Sequence, residues 1–310
     1  MTLDSNSNSN SKPNKNKNYR DILQETVNKK YKRRLFVNRL VTILTIVCVI
    51  AAVVPLVSIL LEVVKNGVSA ISFEFLTQPQ GSMGSGTGGI APAIQGTIIV
   101  VGLASLIAAP IGVLAGIYLS EFAKKGLFAD LVRFFNDVLT GLPSIVIGIV
   151  GYTVIVLSIG SFSVIAGALS LSIIMIPIVV RVTEETLKVV PFSLREAGYS
   201  LGISKAIITL FIVLPSAKNG ILTGIVIAIS RIAGETAPLI MTILGTSLFF
   251  TGITGPVDAL PLRIWRLSSQ PYESAHAFGW GSALILILMI LALSVGLRLW
   301  AQKRSLKTVT

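Results

Sequence analysis

Apolar residues fall into six long runs separated by polar connections. The runs cover about 38–62, 94–120, 138–159, 162–181, 219–245 and 279–300. A helix needs roughly 20 mostly apolar residues to cross the hydrocarbon core of a bilayer. The pattern therefore predicts six transmembrane helices in an all-α integral membrane protein. Ahead of them, residues 1–18 read "MTLDSNSNSNSKPNKNKN", low-complexity Asn, Ser and Lys with nothing to bury, and are predicted to be disordered. Residues 19–37 predict a short basic helix at the membrane surface. The first run, 38–62, is too long for the apolar region of a leader peptide and is read as an uncleaved first span.

Composition supports this reading. Hydrophobic residues make up 53% and charged residues 13% of the 310, against about 25% charged in a soluble domain. The net charge of +12 raises the question of nucleic acid, but its distribution answers it. The tail before the first span, two alternate connections (one with Lys124, Lys125 and Arg133, the other with Arg181, Lys188, Arg195, Lys205 and Lys218) and the carboxyl end hold 22 of the 26 basic residues. The intervening connections hold only Lys65, Arg263 and Arg266. This bias is the positive-inside signature. It predicts cytoplasmic termini: a basic tail and surface segment at 1–37 and a second tail at 301–310.

Little else in the chain suggests chemistry. Cys48 is the single cysteine and His276 the single histidine; neither builds a disulfide framework or a metal site unaided. The connection at about 63–93 contains "GSMGSGTGGIAP". It lacks the Gly-Lys-Ser/Thr of a phosphate-cradling loop and reads as a flexible turn ended by Pro92. No nucleotide-binding or hydrolytic motif and no cofactor signal is present, so the chain is not expected to be an enzyme. Ala104, Ala108, Gly112 and Gly116 recur at steps of four in the second span. They predict close packing of another helix, within the chain or across a subunit seam. Pro143 is placed at the start of the third span, where a proline is tolerated. The connection 246–278, with "ALPLRIW", is long enough to dip toward the membrane or to meet an outside partner.

Two charges break the apolar pattern. "SRIAGETAPL" puts Arg231 and Glu235 inside the fifth run. An ionisable side chain at bilayer depth costs about 2.5–3.5 kcal/mol on insertion scales, and such groups mark pathways by default. At i, i+4 the two share one helix face. Gly234 and Pro238 weaken the helix there, so the chain is expected to bend or unwind beside a cavity. Arg231 then offers a fork of donors to an anion. A buried structural ion pair is the competing reading.

The connection between the fourth and fifth runs carries the most specific pattern. "SLREAGYSLGISKAIITLFIVLPSAKNG" contains Glu196-Ala197-Gly198, then Gly202, then Ile212, Leu214 and Pro215. It predicts two short helices joined by a turn at Gly202 and closed by Pro215, an exposed shape that fits a groove on a soluble partner. The spacing resembles that of binding-protein-dependent ABC importer permeases, although the third position is more often Ala than Gly. "GGIAPAIQGT", "IGVLAGIYLSEFA", "RFFNDVLTGLPSIVIGI", "AGALSLSIIMIPIVVRVTEETLKVVP" and "AGETAPL" extend the resemblance over about Gly88 to Arg298, toward the PstA-type subunits of phosphate importers.

The resemblance implies a MetI-like permease domain over 88–300, with a coupling loop at 182–218 that docks on an ATPase. It implies an assembly with two ATP-binding subunits, a PstC-like second permease and an extracytoplasmic phosphate-binding protein, in the inner membrane. It also implies a pathway role for Arg231 and Arg181, although Arg181 at a helix end can instead snorkel or pair with Glu184 or Glu185. Permeation of another oxyanion, such as sulfate or molybdate, stays open. So does a secondary transporter with Glu235 as proton carrier, although no internal inverted repeat is evident.

Overall fold

The computed structural model describes residues 15–81, 87–123 and 126–306. The expected disorder of 1–18 falls largely on residues 1–14, outside the described residues, as do 82–86 of the glycine-rich turn and 307–310 of the second tail. The chain divides into two compact units, one ending at Leu61 and the other beginning at Glu62. The first holds most of α1 (Lys15–Val68), whose side chains from Arg34 to Leu61 are exposed. The basic segment expected as a separate surface helix belongs to this same helix.

The second unit continues with α2 (Phe73–Thr77), α3 (Ala91–Ile117), α4 (Leu127–Gly141), α5 (Ser144–Gly151), α6 (Leu157–Ile159) and α7 (Val164–Val189). Next come α8 (Phe192–Ser200), α9 (Lys205–Ile208), α10 (Leu214–Ile232), α11 (Ala237–Thr242), α12 (Leu260–Ser268) and α13 (Glu273–Leu306). Among the described residues, five helical stretches are long and apolar enough to span a membrane: Arg34–Val68, Ala91–Phe122, Val164–Val189, Lys205–Ile232 and Glu273–Leu299. The bent pair Leu127–Gly141 and Ser144–Ile159, taken as one span, makes a sixth.

Three boundaries differ from the hydropathy reading. The third span is not one helix over 138–159. It comprises amphipathic α4 and then α5, turned by 101°. Proline disfavours helical backbone in the residue before it. Leu142 is accordingly extended, at ψ 135°, and Pro143 caps α5. The fourth helix runs to Val189 rather than 181, which puts Arg181 two turns inside it. The fifth starts at Lys205 and stops at Ile232. Pro215 does not separate a loop helix from the span, because a π-helical turn (Thr209–Val213) precedes it. There the Leu214 amide bonds the Thr209 carbonyl, so the helix absorbs the proline without ending.

The core forms around α7, the most enclosed of the spans. Its neighbours reach it through small residues. A Cβ at Gly112 would lie 2.7 Å from Val179 Cβ, and one at Gly116 would lie 2.6 Å from Thr183 Cβ. Together with buried Ala104 and Ala108, these glycines are a packing seam within the chain. From the other side, Gly220 meets Thr186 and Gly224 meets Val182. Residue numbers rise together along α3 and α7 and run opposite along α7 and α10. That is the alternation six consecutive spans require.

The far end is tied by backbone bonds. Ser163, Val164 and Ile165 donate to the carbonyls of Thr242, Gly255 and Ile253, satisfying the first amides of α7. The Leu260 amide donates to Thr97 Oγ1 at 2.8 Å, fastening the start of α12 to α3.

Candidate functional site

The expected break in the fifth span is present. α10 ends at Ile232, four residues form a turn, and α11 begins at Ala237 with Pro238 in its first turn. Arg231 is the last charged residue of α10 and Glu235 sits in the turn. Their closest approach is 3.8 Å, outside hydrogen-bonding distance, with side chains 60% and 17% exposed. Ser230, next to them, holds α10 to α13 through a 3.1 Å contact with Ser294 Oγ. The helix is thus fixed at this level while the guanidinium stays free of tight protein contacts.

Arg181 is 62% exposed on α7 and donates from Nε to Glu185 Oε1 at 3.1 Å. Glu184, the other partner considered, is taken by Arg133 at 3.0 Å and Lys188 at 2.8 Å. The facing of Gly224 and Val182 fixes the register of the two helices. At 1.5 Å per residue, Arg231 stands about 9 Å along the axis from the level of Arg181.

The connection between the fourth and fifth spans forms one short helix, α8, and then enters the long fifth helix; it does not form two short helices. Glu196 and Ala197 are exposed on α8, whereas Gly198 is buried against Ile208 of α9. Gly202 has φ +71°. The Ile203 amide bonds the Gly198 carbonyl and the Gly202 amide bonds that of Tyr199, a Schellman ending in which glycine takes the left-handed position. Leu214 and Pro215 lie in the first turn of α10, with Pro215 exposed. The exposed face of α8 and the turn after it present Glu196, Ala197 and Gly202 outward together.

Two buried ion pairs were not read from the sequence. Arg195, next to the motif glutamate, turns inward to Glu121 at 2.7 Å. The signal lay in α8 itself, where the buried Arg195 and Gly198 share one face at i, i+3. Asp258 pairs with Arg263 of α12, both almost fully enclosed. Burial pushes the Asp258 carboxyl up from its usual range and pulls Arg263 down, while their mutual attraction opposes both shifts. The strained turn at Leu244, φ +66°, and Gly245 closes over this pair; a Cβ at Gly245 would lie 3.0 Å from Asp258 Oδ1.

The sequence matches the family of binding-protein-dependent transport system inner membrane components over residues 108–304. It is 38% identical to the phosphate transport system permease protein PstA of Yersinia pestis, covering 91% of this chain and 96% of that protein. It is 37% identical to the PstA protein of Haemophilus influenzae, covering 89% and 98%. An inward-facing structure of the MetNI methionine ABC transporter superposes with a TM-score of 0.54 at 17% identity, over 71% of this chain and 94% of that one. This last likeness concerns the fold alone. The chain belongs to the inner membrane components of binding-protein-dependent transport systems, and among them to the PstA-type permeases.

Proposed function

We propose that this chain is the permease subunit through which an ATP-driven importer carries inorganic phosphate across the cytoplasmic membrane. The observation that carries the reading is Arg231, an exposed guanidinium at an unwound break in a membrane span. A charge there is retained against a solvation cost, and an oxyanion is the ligand its donor fork fits. The relatives named for phosphate transport select phosphate among oxyanions. Arg181 and Glu235 complete the route on this reading.

ATP is hydrolysed on two separate ATP-binding subunits, and this chain is not catalytic. The exposed face of α8, with Glu196, Ala197 and Gly202, docks on one of them. Closure of the ATPases moves α8 and the spans alternate their access. A PstC-like permease supplies the other half of the pathway, and an extracytoplasmic phosphate-binding protein delivers the ion. The one-sided basic connections favour cytoplasmic termini. The test is uptake of labelled phosphate by the reconstituted complex, with sulfate and molybdate as competitors. ATP-dependent uptake that excess sulfate or molybdate leaves unchanged supports phosphate. Equal competition by either would assign a broader oxyanion pathway.

A further inference from the structure

Arg195 joins three elements at one buried point. Its Nη2 donates to Glu121 Oε1 at 2.7 Å and its Nε to Glu121 Oε2 at 3.2 Å, a two-pronged pair. Nη2 also donates to the Leu187 carbonyl at 2.9 Å and Nη1 to the Val190 carbonyl at 2.7 Å. Glu121 lies in the π-helical turn Tyr118–Phe122 that ends α3. Leu187 and Val190 are at the end of α7. The Arg195 and Glu121 side chains are almost fully enclosed, at 6% and 2% exposure.

The covalent link between α7 and α8 is much weaker as a mechanical joint. It consists of Val190 and Pro191, both extended, at ψ 126° and 138°. On the far side α8 leaves through the left-handed Gly202. On the side of the fifth helix α8 is seated by Gly198 against Ile208, but such an extended joint by itself lets it swing relative to α3 and α7. The Arg195 fork removes that freedom toward α3 and α7, which are themselves seated on each other through Gly112 and Gly116.

We propose that Glu121 and Arg195 are positioning residues that lock the coupling helix to α3 and α7, so that displacement of α8 becomes displacement of the spans. This rests on the reading that α8 docks on the ATPase. A buried ion pair is weak evidence for stability alone, because two enclosed charges lose their hydration. Its place at the junction of three moving parts gives it a use that stability does not.

The test uses the full complex, with permease pair, ATPases and binding protein in proteoliposomes. Glu121→Gln breaks the ion pair. The double variant Glu121→Met, Arg195→Met removes both charges, so no unpaired charge is left buried. Glu121→Asp keeps the charge. Glu196→Lys reports on docking separately. The readouts are ATPase copurification and phosphate carried per ATP hydrolysed. Glu121→Gln and the double variant are expected to retain the ATPase but to carry at least about fivefold less phosphate per ATP, the lower end of usual coupling effects. Glu121→Asp is expected to recover part of that ratio.

An assembled double variant with the wild-type ratio would overturn the proposal and leave docking intact. Loss of ATPase copurification by the double variant would also overturn it, making the pair a folding element. Normal assembly and transport by Glu196→Lys would instead remove the docking reading on which the proposal stands.

Discussion

Arg231 and Glu235 stand 3.8 Å apart, one turn from each other, without a hydrogen bond between them. This is a loose pair, and it contrasts with Asp258 and Arg263, which are enclosed against each other. The contrast predicts opposite costs. Glu235→Gln breaks no tight contact and is expected to shift stability by no more than about 1 kcal/mol, the usual limit for open pairs. Asp258→Asn leaves Arg263 buried without its partner, at about 3–5 kcal/mol. Thermal melting of the purified protein in detergent ranks the two. Equal losses would show that the Arg231 pair is structural.

Gly202 predicts a backbone effect without a packing effect. Its φ is +71° and a Cβ there would meet nothing within 4 Å. Gly202→Ala therefore carries only the left-handed penalty, about 1–2 kcal/mol, and Gly202→Asn less, because Asn visits that region more readily. Copurification of the ATPase with the two variants should fall in the order Gly, Asn, Ala. Equal retention by Ala would mean that the turn tolerates another conformation.

At Gly198 the packing decides. A Cβ would approach Ile208 Cδ1 and Cγ1 at 2.8 Å, contacts to a side chain that can rotate but is itself buried. Alanine also gains about 0.5–1 kcal/mol of helix propensity over glycine. Gly198→Ala is expected to be close to neutral in melting temperature, the propensity gain offsetting a small displacement of Ile208, and Ile208→Val, which removes Cδ1 but keeps Cγ1, relieves part of any strain. A loss that Ile208→Val does not relieve would contradict this account of the contact.

Gly224 is tighter still. A Cβ there would fall 2.1 Å from Val182 Cγ1, on a β-branched side chain in the middle of the α7–α10 seam. Gly224→Ala should force the helices apart, costing about 1–3 kcal/mol as overpacking does. Val182→Ala should restore the loss, as measured by yield of folded protein and melting temperature.

Much of this was legible in the chain. Six apolar runs and the one-sided basic connections gave the span count, and the Ala104 to Gly116 steps gave a seam. Glycine at 202 and the Gly234–Pro238 stretch marked a turn and a break, because their backbone preferences are local. What was not legible depends on three dimensions. Pro143 starts a helix as expected, but the 101° turn from α4 into it was not legible, because α4 has other partners: Arg133 reaches Glu184 and Asn136 reaches the Pro177 carbonyl. Pro215 continues a helix because a π turn precedes it, a register change that hydropathy does not record. Arg195 was read only as charge bias, since its partner Glu121 is 74 positions away.

The central claim is that Arg231 lies on the phosphate route, downstream of a working coupling helix. The most direct test measures phosphate uptake and ATP hydrolysis together in the reconstituted complex, wild type against Arg231→Gln. Loss of a charge-assisted contact predicts uptake reduced by about tenfold or more, while the loaded binding protein still stimulates hydrolysis. Uptake near wild type in a well-folded complex would contradict the claim and leave Arg231 and Glu235 as a structural pair.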